Sequence, residues 1–140
     1  MKKIILAESN PHHIALYRKI FENMNFDVEL ARTKEELMEE LREIRIGRSK
    51  APDLVVMDLM LGDGAGKEAL RAIKKSHFTR HIPVFAVTNF TNPEFENEIK
   101  MAGIAPERYL MKSNHTPGEI ADQIQNYFGG TPPRPPVRMS

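Results

Sequence analysis

The chain has no cysteine. That excludes a disulfide framework, a thiolate nucleophile and cysteine-based metal binding. Long apolar runs are missing too. Met1-Lys2-Lys3 leads only into Ile4 to Ala7, too short for a signal-peptide core or a membrane span. Charge of one sign is also scarce: 20 basic and 19 acidic residues leave a formal net charge of +1, with the signs interspersed. Bulk electrostatics therefore gives no case for nucleic-acid binding. No internal repeat is apparent. The expectation is a soluble, cytoplasmic protein whose 140 residues suffice for one domain and one core.

What the chain does have is an apolar run with a single acid set in it, Leu54-Val55-Val56-Met57-Asp58-Leu59-Met60-Leu61, followed by Gly62-Asp63-Gly64-Ala65-Gly66. Pro52 and the two adjacent valines suit a short buried strand that ends in a loop. A carboxylate among apolar residues needs a partner, because an unpaired buried charge is costly. Taken alone, Asp58 reads best as the cap of the next turn. The ends of three other strands argue for more.

In order, Lys3 to Ala7 reads as a first buried strand. Pro11 fits the first position of a helix whose apolar face is Ile14, Tyr17, Ile20, Phe21 and Met24, with Asn25 as its stop. Phe26 to Leu30 alternates like an edge strand. Thr33-Lys34-Glu35-Glu36 has the capping-box pattern and opens a helix with Leu37, Leu41 and Ile44 toward the core, ending near Gly47. Asp53 to Met57 is the central strand, Lys67 to Ser76 a helix, and Ile82 to Val87 another buried strand. Pro93 to about Ala102 is a fourth helix stopped by Gly103, and Arg108 to Met111 a fifth strand. Thr116-Pro117-Gly118-Glu119 caps a fifth helix with Ile120, Ile124 and Phe128 as its stripe. The expected domain is 1–128, with the Pro-rich stretch 129–140 as a disordered or extended tail.

Five strands alternating with five helices imply a doubly wound α/β fold, a parallel sheet covered on both faces. Ligands of such sheets bind at the carboxyl ends of the strands. Those ends read Glu8-Ser9, Asp58, Thr88-Asn89 and Lys112-Ser113. Two carboxylates, a hydroxyl and an ammonium on one rim suit acceptance of a phosphoryl group by a carboxylate. A divalent ion can neutralise the charge there, and Lys and hydroxyl donors can hold the phosphoryl oxygens.

At these residues the chain resembles the receiver domains of two-component response regulators, over about residues 3 to 128. Val55-Val56-Met57-Asp58, Phe85-Ala86-Val87-Thr88 and Tyr109-Leu110-Met111-Lys112 match in order and spacing. The resemblance implies a flavodoxin-like five-stranded sheet in the order 2-1-3-4-5. It implies Asp58 as phosphoacceptor, with Thr88 and Lys112 completing the site, Thr88 and Tyr109 as the switch pair, and Mg2+ held by Glu8, Asp58 and the Met60 carbonyl. It further implies a phosphoryl donor that is a histidine kinase or phosphotransfer protein. A downstream protein target would dock on the face of the fourth helix, fifth strand and fifth helix, with no direct contact to nucleic acid or membrane. A homodimer is compatible with this reading. The domain would not be an enzyme beyond slow loss of its own phosphate. By the same resemblance Met60 and Phe90 flank the path of attacking water, with Asn89 as a competing polar neighbour.

Two departures matter. Receivers usually carry two acids after strand one, and here Glu8 is followed by Ser9, so a weakened Mg2+ site is expected. Lys112 is followed by Ser113 rather than proline, which removes the expectation of a cis bond. Lys-Ser-Asn is nevertheless similar to stand-alone receivers. Ser9 keeps a second function class open, a pseudo-receiver acting as a phosphorylation-independent interaction module. Two enzyme readings fail: Gly66-Lys67 is followed by Glu68 where a phosphate-binding loop needs Ser or Thr, and Met60 stands where an aspartate-nucleophile phosphatase needs its second acid.

Each residue also has a plainer reading. Glu8 could cap the first helix, though Ser9 or Asn10 could cap equally well. Thr88 could merely start a loop, and Tyr109 could be a half-buried strand aromatic. His12 and His13 are adjacent in a first helical turn and point apart, so shared metal ligation is not expected. His77, His81 and His115 read as surface residues.

Overall fold

A computed structural model describes residues 1–64, 66–89 and 93–129. Phe90 and residues 130–140, most of the expected tail, lie outside the described residues. The elements run β1 (Lys3–Ala7), α1 (Pro11–Asn23), β2 (Asp27–Ala31), α2 (Lys34–Arg45), β3 (Leu54–Met57), α3 (Leu61–Gly64), α4 (Gly66–Lys75), β4 (Val84–Thr88), α5 (Pro93–Met101), β5 (Arg108–Met111) and α6 (Pro117–Tyr127). The sheet is parallel throughout, in the order β2-β1-β3-β4-β5. β2 lies at an edge, as its alternation requires.

Strand alternation divides the core in two. Ile5, Ala7, Val55, Met57, Val84 and Ala86 face α2, α4 and α5, against Leu37, Leu70, Ile73 and Ile99. Ile4, Leu6, Leu54, Val56, Phe85 and Val87 face α1 and α6, against Tyr17, Phe21, Ile120 and Ile124. The central strands β1, β3 and β4 are buried on both faces, hence their unbroken apolar runs.

Caps mostly follow the sequence. The Thr116 side chain accepts from Glu119 N–H, and the Glu119 carboxylate accepts from Thr116 N–H. Thr33 likewise accepts from Glu36 N–H, but the Glu36 side chain returns to Arg32 N–H instead of closing the box on Thr33. Asn10, rather than Glu8 or Ser9, caps α1 by accepting from the His12 and His13 amides. The expected stop Asn25 has φ 72, the left-handed conformation that asparagine tolerates.

The stretch after Asp58 differs from expectation. A loop is expected from Gly62, with five helices in all; the structure instead winds Leu61–Gly64 into one extra short helix, α3. The cause is burial: Leu59 and Leu61 both point inward while Met60 between them is exposed. Leu61 N–H closes the turn on the Asp58 carbonyl at 3.0 Å. Strand β4 begins later than expected, at Val84, because Ile82 N–H bonds Thr79 O in a turn.

α4 enters against that turn at Gly66. A Cβ built there lies 2.5 Å from the Leu59 Cα and carbonyl oxygen, so backbone itself stands in the way. Gly66→Ala should therefore destabilise the domain by about 2 kcal/mol, overpacking outweighing the better helix propensity of alanine. Urea unfolding checks this: the midpoint should fall with an unchanged slope, and an unmoved midpoint would mean α3 and α4 yield freely.

Candidate functional site

Register sets the site. Ala7 is paired with Met57 and Thr88 with Met111, so the residues leaving β1, β3, β4 and β5 emerge side by side. Asp58 N–H bonds Ala7 O at 3.0 Å, and Lys112 N–H bonds Thr88 O at 2.8 Å. The structure thus brings together Glu8, Asp58, Thr88 and Lys112, as expected from the sequence.

Lys112 is the hub. Its Nζ donates to Asp58 Oδ2 at 2.9 Å and to Glu8 Oε1 at 2.9 Å. The three side chains are nearly closed to solvent, with 9%, 12% and 3% exposure for Lys112, Asp58 and Glu8. Water screens charges poorly at such burial, so the ammonium and carboxylates depend on one another. The other Asp58 oxygen accepts the Met60 N–H at 2.8 Å, and Glu8 Oε2 accepts the Asn10 N–H at 3.1 Å. Thr88 is fully buried. Ser9 Oγ accepts the Gly62 N–H at 3.3 Å, tying β1 to α3. Met60 and Asn89 are exposed at the rim.

Two further neighbours of Lys112 come from α1. His13 Nδ1 lies 3.0 Å from Lys112 Nζ, and the Tyr17 ring lies with its centroid 6.0 Å from that nitrogen. Desolvation first, then Glu8 and Asp58, push the Tyr17 phenol up to about 12, since a phenolate would be a third anion there. The usable signal was spacing: His13 and Tyr17 are four apart, so the histidine shares the inward face of α1.

The side-chain oxygen donors at the rim are the Glu8 and Asp58 carboxylates and Ser9 Oγ. This is the hard donor type that Mg2+ takes. Among the described residues, no three His, Asp or Glu side chains gather to hold a metal ion. Two carboxylates against one ammonium leave a single net negative charge. The donor set fits Mg2+ in kind but is poor in charge.

Tyr109 packs partly buried against the α2–α4–α5 core. Its hydroxyl is the one buried side-chain polar atom without a hydrogen-bond partner among the described residues. Burial first, and Glu96 second, push that phenol up to about 12. An open groove of about 500 Å³ runs beside it, lined by residues including Pro93, Glu96, Lys100 and Pro106. Met101, at the end of α5, is 80% exposed.

Known proteins resemble this chain over most of its length. The model of the response regulator receiver domain matches residues 4–125. The polar-differentiation response regulator DivK of Brucella anthropi is 31% identical over 128 residues, 91% of this chain and 97% of that protein. Among solved structures, the phosphorylated cyanobacterial phytochrome response regulator RcpA is 27% identical, with TM-score 0.76 over 90% of this chain and 92% of that one. The Mn2+-bound form of response regulator Rcp1 shares the fold at 23% identity, with TM-score 0.78 over 97% and 100%. With a family match across residues 4–125 and a relative 31% identical over 91% of its length, the chain belongs to the response regulator receiver domain family of two-component signal transduction.

Proposed function

We propose that the domain accepts a phosphoryl group on Asp58 from a histidine kinase or phosphotransfer protein and signals the change on the face formed by α5, β5 and α6. The observation that carries this is the Asp58 carboxylate, held between the Met60 amide and the Lys112 ammonium at a nearly closed rim. A carboxylate oxygen of Asp58 forms a bond to phosphorus while the bond from phosphorus to the donor breaks. The leaving group departs with that electron pair. Lys112 and the Thr88 hydroxyl donate to the phosphoryl oxygens as negative charge shifts onto them. Glu8, Asp58 and the Met60 carbonyl would hold Mg2+, which when bound neutralises charge between the carboxylates and the phosphoryl group. The phosphorylated form of RcpA, at 27% identity, supports the reading. No helix among the described residues is long and apolar enough to cross a membrane.

The experiment is incubation with acetyl phosphate and Mg2+, followed by intact mass and peptide mapping. One phosphoryl group should appear on the peptide carrying Asp58 and vanish when Mg2+ is chelated. No mass change at any Mg2+ concentration would favour the second reading, an interaction module independent of phosphate, which Ser9 supports.

Ser9→Asp should tighten Mg2+ binding by about tenfold, because a further carboxylate adds both charge and a ligand to a hard-cation site. Calorimetric titration of Mg2+ measures it; equal or weaker affinity in the variant would mean that Ser9 is not the deficit.

The output face is expected to respond as a two-state element. Thr88 lies directly across the β4–β5 ladder from Met111, with Tyr109 two residues before it on β5. Movement of the Thr88 hydroxyl toward a phosphoryl group should reposition Tyr109, whose unpartnered hydroxyl costs little to move. Beryllofluoride should therefore shift NMR signals at Tyr109, Met101 and α6 as well as at the rim. Shifts confined to residues around Asp58 would separate the site from that face.

A further inference from the structure

We propose that His13 is a positioning residue for phosphoryl acceptance, holding the Lys112 ammonium jointly with Glu8 so that one N–H is aimed at the Asp58 oxygen. This deepens the Asp58 reading above and rests on it. A lysine ammonium has three donors and no acceptor. Here each donor has a partner: Asp58 Oδ2 at 2.9 Å, Glu8 Oε1 at 2.9 Å and His13 Nδ1 at 3.0 Å. Because Lys112 can only donate, the contact requires a lone pair on Nδ1 and hence the tautomer protonated at Nε2. The other contact of that nitrogen, 3.8 Å to Glu8 Oε2, is too long for a hydrogen bond.

The imidazole is itself supported from the core. Its ring meets Tyr17 edge-on, with centroids 6.5 Å apart, and Tyr17 stacks on the fully buried Phe21 at 5.8 Å. The His13 backbone is fixed by its N–H, which donates to Asn10 Oδ1 of the cap at 3.2 Å. A histidine on a first helical turn thus has a set position although its side chain is 31% exposed. This matters because a lysine side chain is long and flexible, and its ammonium must point correctly when the reaction occurs. As Asp58 becomes an acyl phosphate, its carboxylate charge is lost and the third N–H passes to a phosphoryl oxygen. Glu8 and His13 keep the other two donors through that change. With Glu8 alone, the ammonium could rotate about a single contact.

The test compares wild type, His13→Leu and His13→Asn, with circular dichroism confirming the fold of each. Asparagine Oδ1 stands as far along its side chain as histidine Nδ1, so it can accept the same N–H. At saturating acetyl phosphate and Mg2+, His13→Leu should be labelled about tenfold more slowly, with half-saturating concentrations unchanged, as for loss of one charge-assisted hydrogen bond. His13→Asn should recover most of the rate. Heteronuclear NMR of the Lys112 ammonium gives an independent readout: slow proton exchange in wild type and His13→Asn, fast exchange in His13→Leu. Wild-type labelling speed in His13→Leu, an unrecovered rate in His13→Asn, or fast exchange in wild type would each overturn the proposal. If wild type itself takes up no phosphate, the Asp58 reading falls as well, and that failure is seen before any variant is compared.

Discussion

Lys112→Met should slow phosphorylation by acetyl phosphate by about 10²- to 10³-fold while tightening Mg2+ binding. The two effects have one origin and opposite signs. The ammonium is a charged donor aimed at the Asp58 oxygen in a site that excludes most water. Loss of one such preorganised donor typically costs that factor in rate. Methionine keeps an unbranched apolar stem, so the volume beside Tyr17 stays filled. Glu8 and Asp58, however, lose their shared cation. The rim then carries one more net negative charge, which a divalent cation should find more favourable. Stopped-flow labelling at saturating Mg2+ separates rate from affinity, and calorimetry measures the metal. A variant labelled as fast as wild type would remove Lys112 from the chemistry. Weaker Mg2+ binding would show that the ammonium does not oppose the metal for these carboxylates.

That Glu8, Asp58 and Thr88 could be singled out from sequence follows from where polar residues fell. Strands β1, β3 and β4 are apolar on both faces, so the first polar side chains after them, Glu8, Asp58 and Thr88 itself, mark the strand ends without ambiguity. The strand order was less accessible, since alternation of strands and helices implies a parallel sheet but not which strands are neighbours; it came from the resemblance. His13 was missed because its contact spans 99 positions of the chain and depends on how α1 packs over the sheet. Adjacency in the sequence shows that His12 and His13 point apart, but not what His13 faces across the fold. Glu8 was ambiguous for a local reason: three adjacent residues, Glu8, Ser9 and Asn10, could each cap α1. In the structure Asn10 takes that role, which leaves the Glu8 carboxylate to Lys112 and the Ser9 hydroxyl to Gly62. The α3 turn was hidden by its glycines, which signal a loop, whereas burial of Leu61 winds the chain there.

A phosphoryl group on Asp58 should be long-lived, and Met60→Asn combined with Phe90→Glu should shorten its lifetime by up to about 10²-fold. An acyl phosphate is lost when water attacks phosphorus in line, and a polar side chain beside the path can orient that water and take its proton. Met60 sits two residues beyond Asp58, with its amide on Asp58 Oδ1, and the residue is 46% exposed. A thioether there offers water only a weak acceptor. Phe90, outside the described residues, is assigned to the other flank by the family resemblance alone. Asn89 is exposed beside the fully buried Thr88 and is the polar side chain that could act instead. Three variants therefore separate the contributions. Met60→Asn alone should give a small acceleration, the double variant the full one, and Asn89→Ala no change if Asn89 points away from the water path. The measurement is loss of label from the isolated domain after removal of acetyl phosphate. Unchanged decay in the double variant would show that these side chains do not govern access, and a marked slowing in Asn89→Ala would make the asparagine the group that orients water.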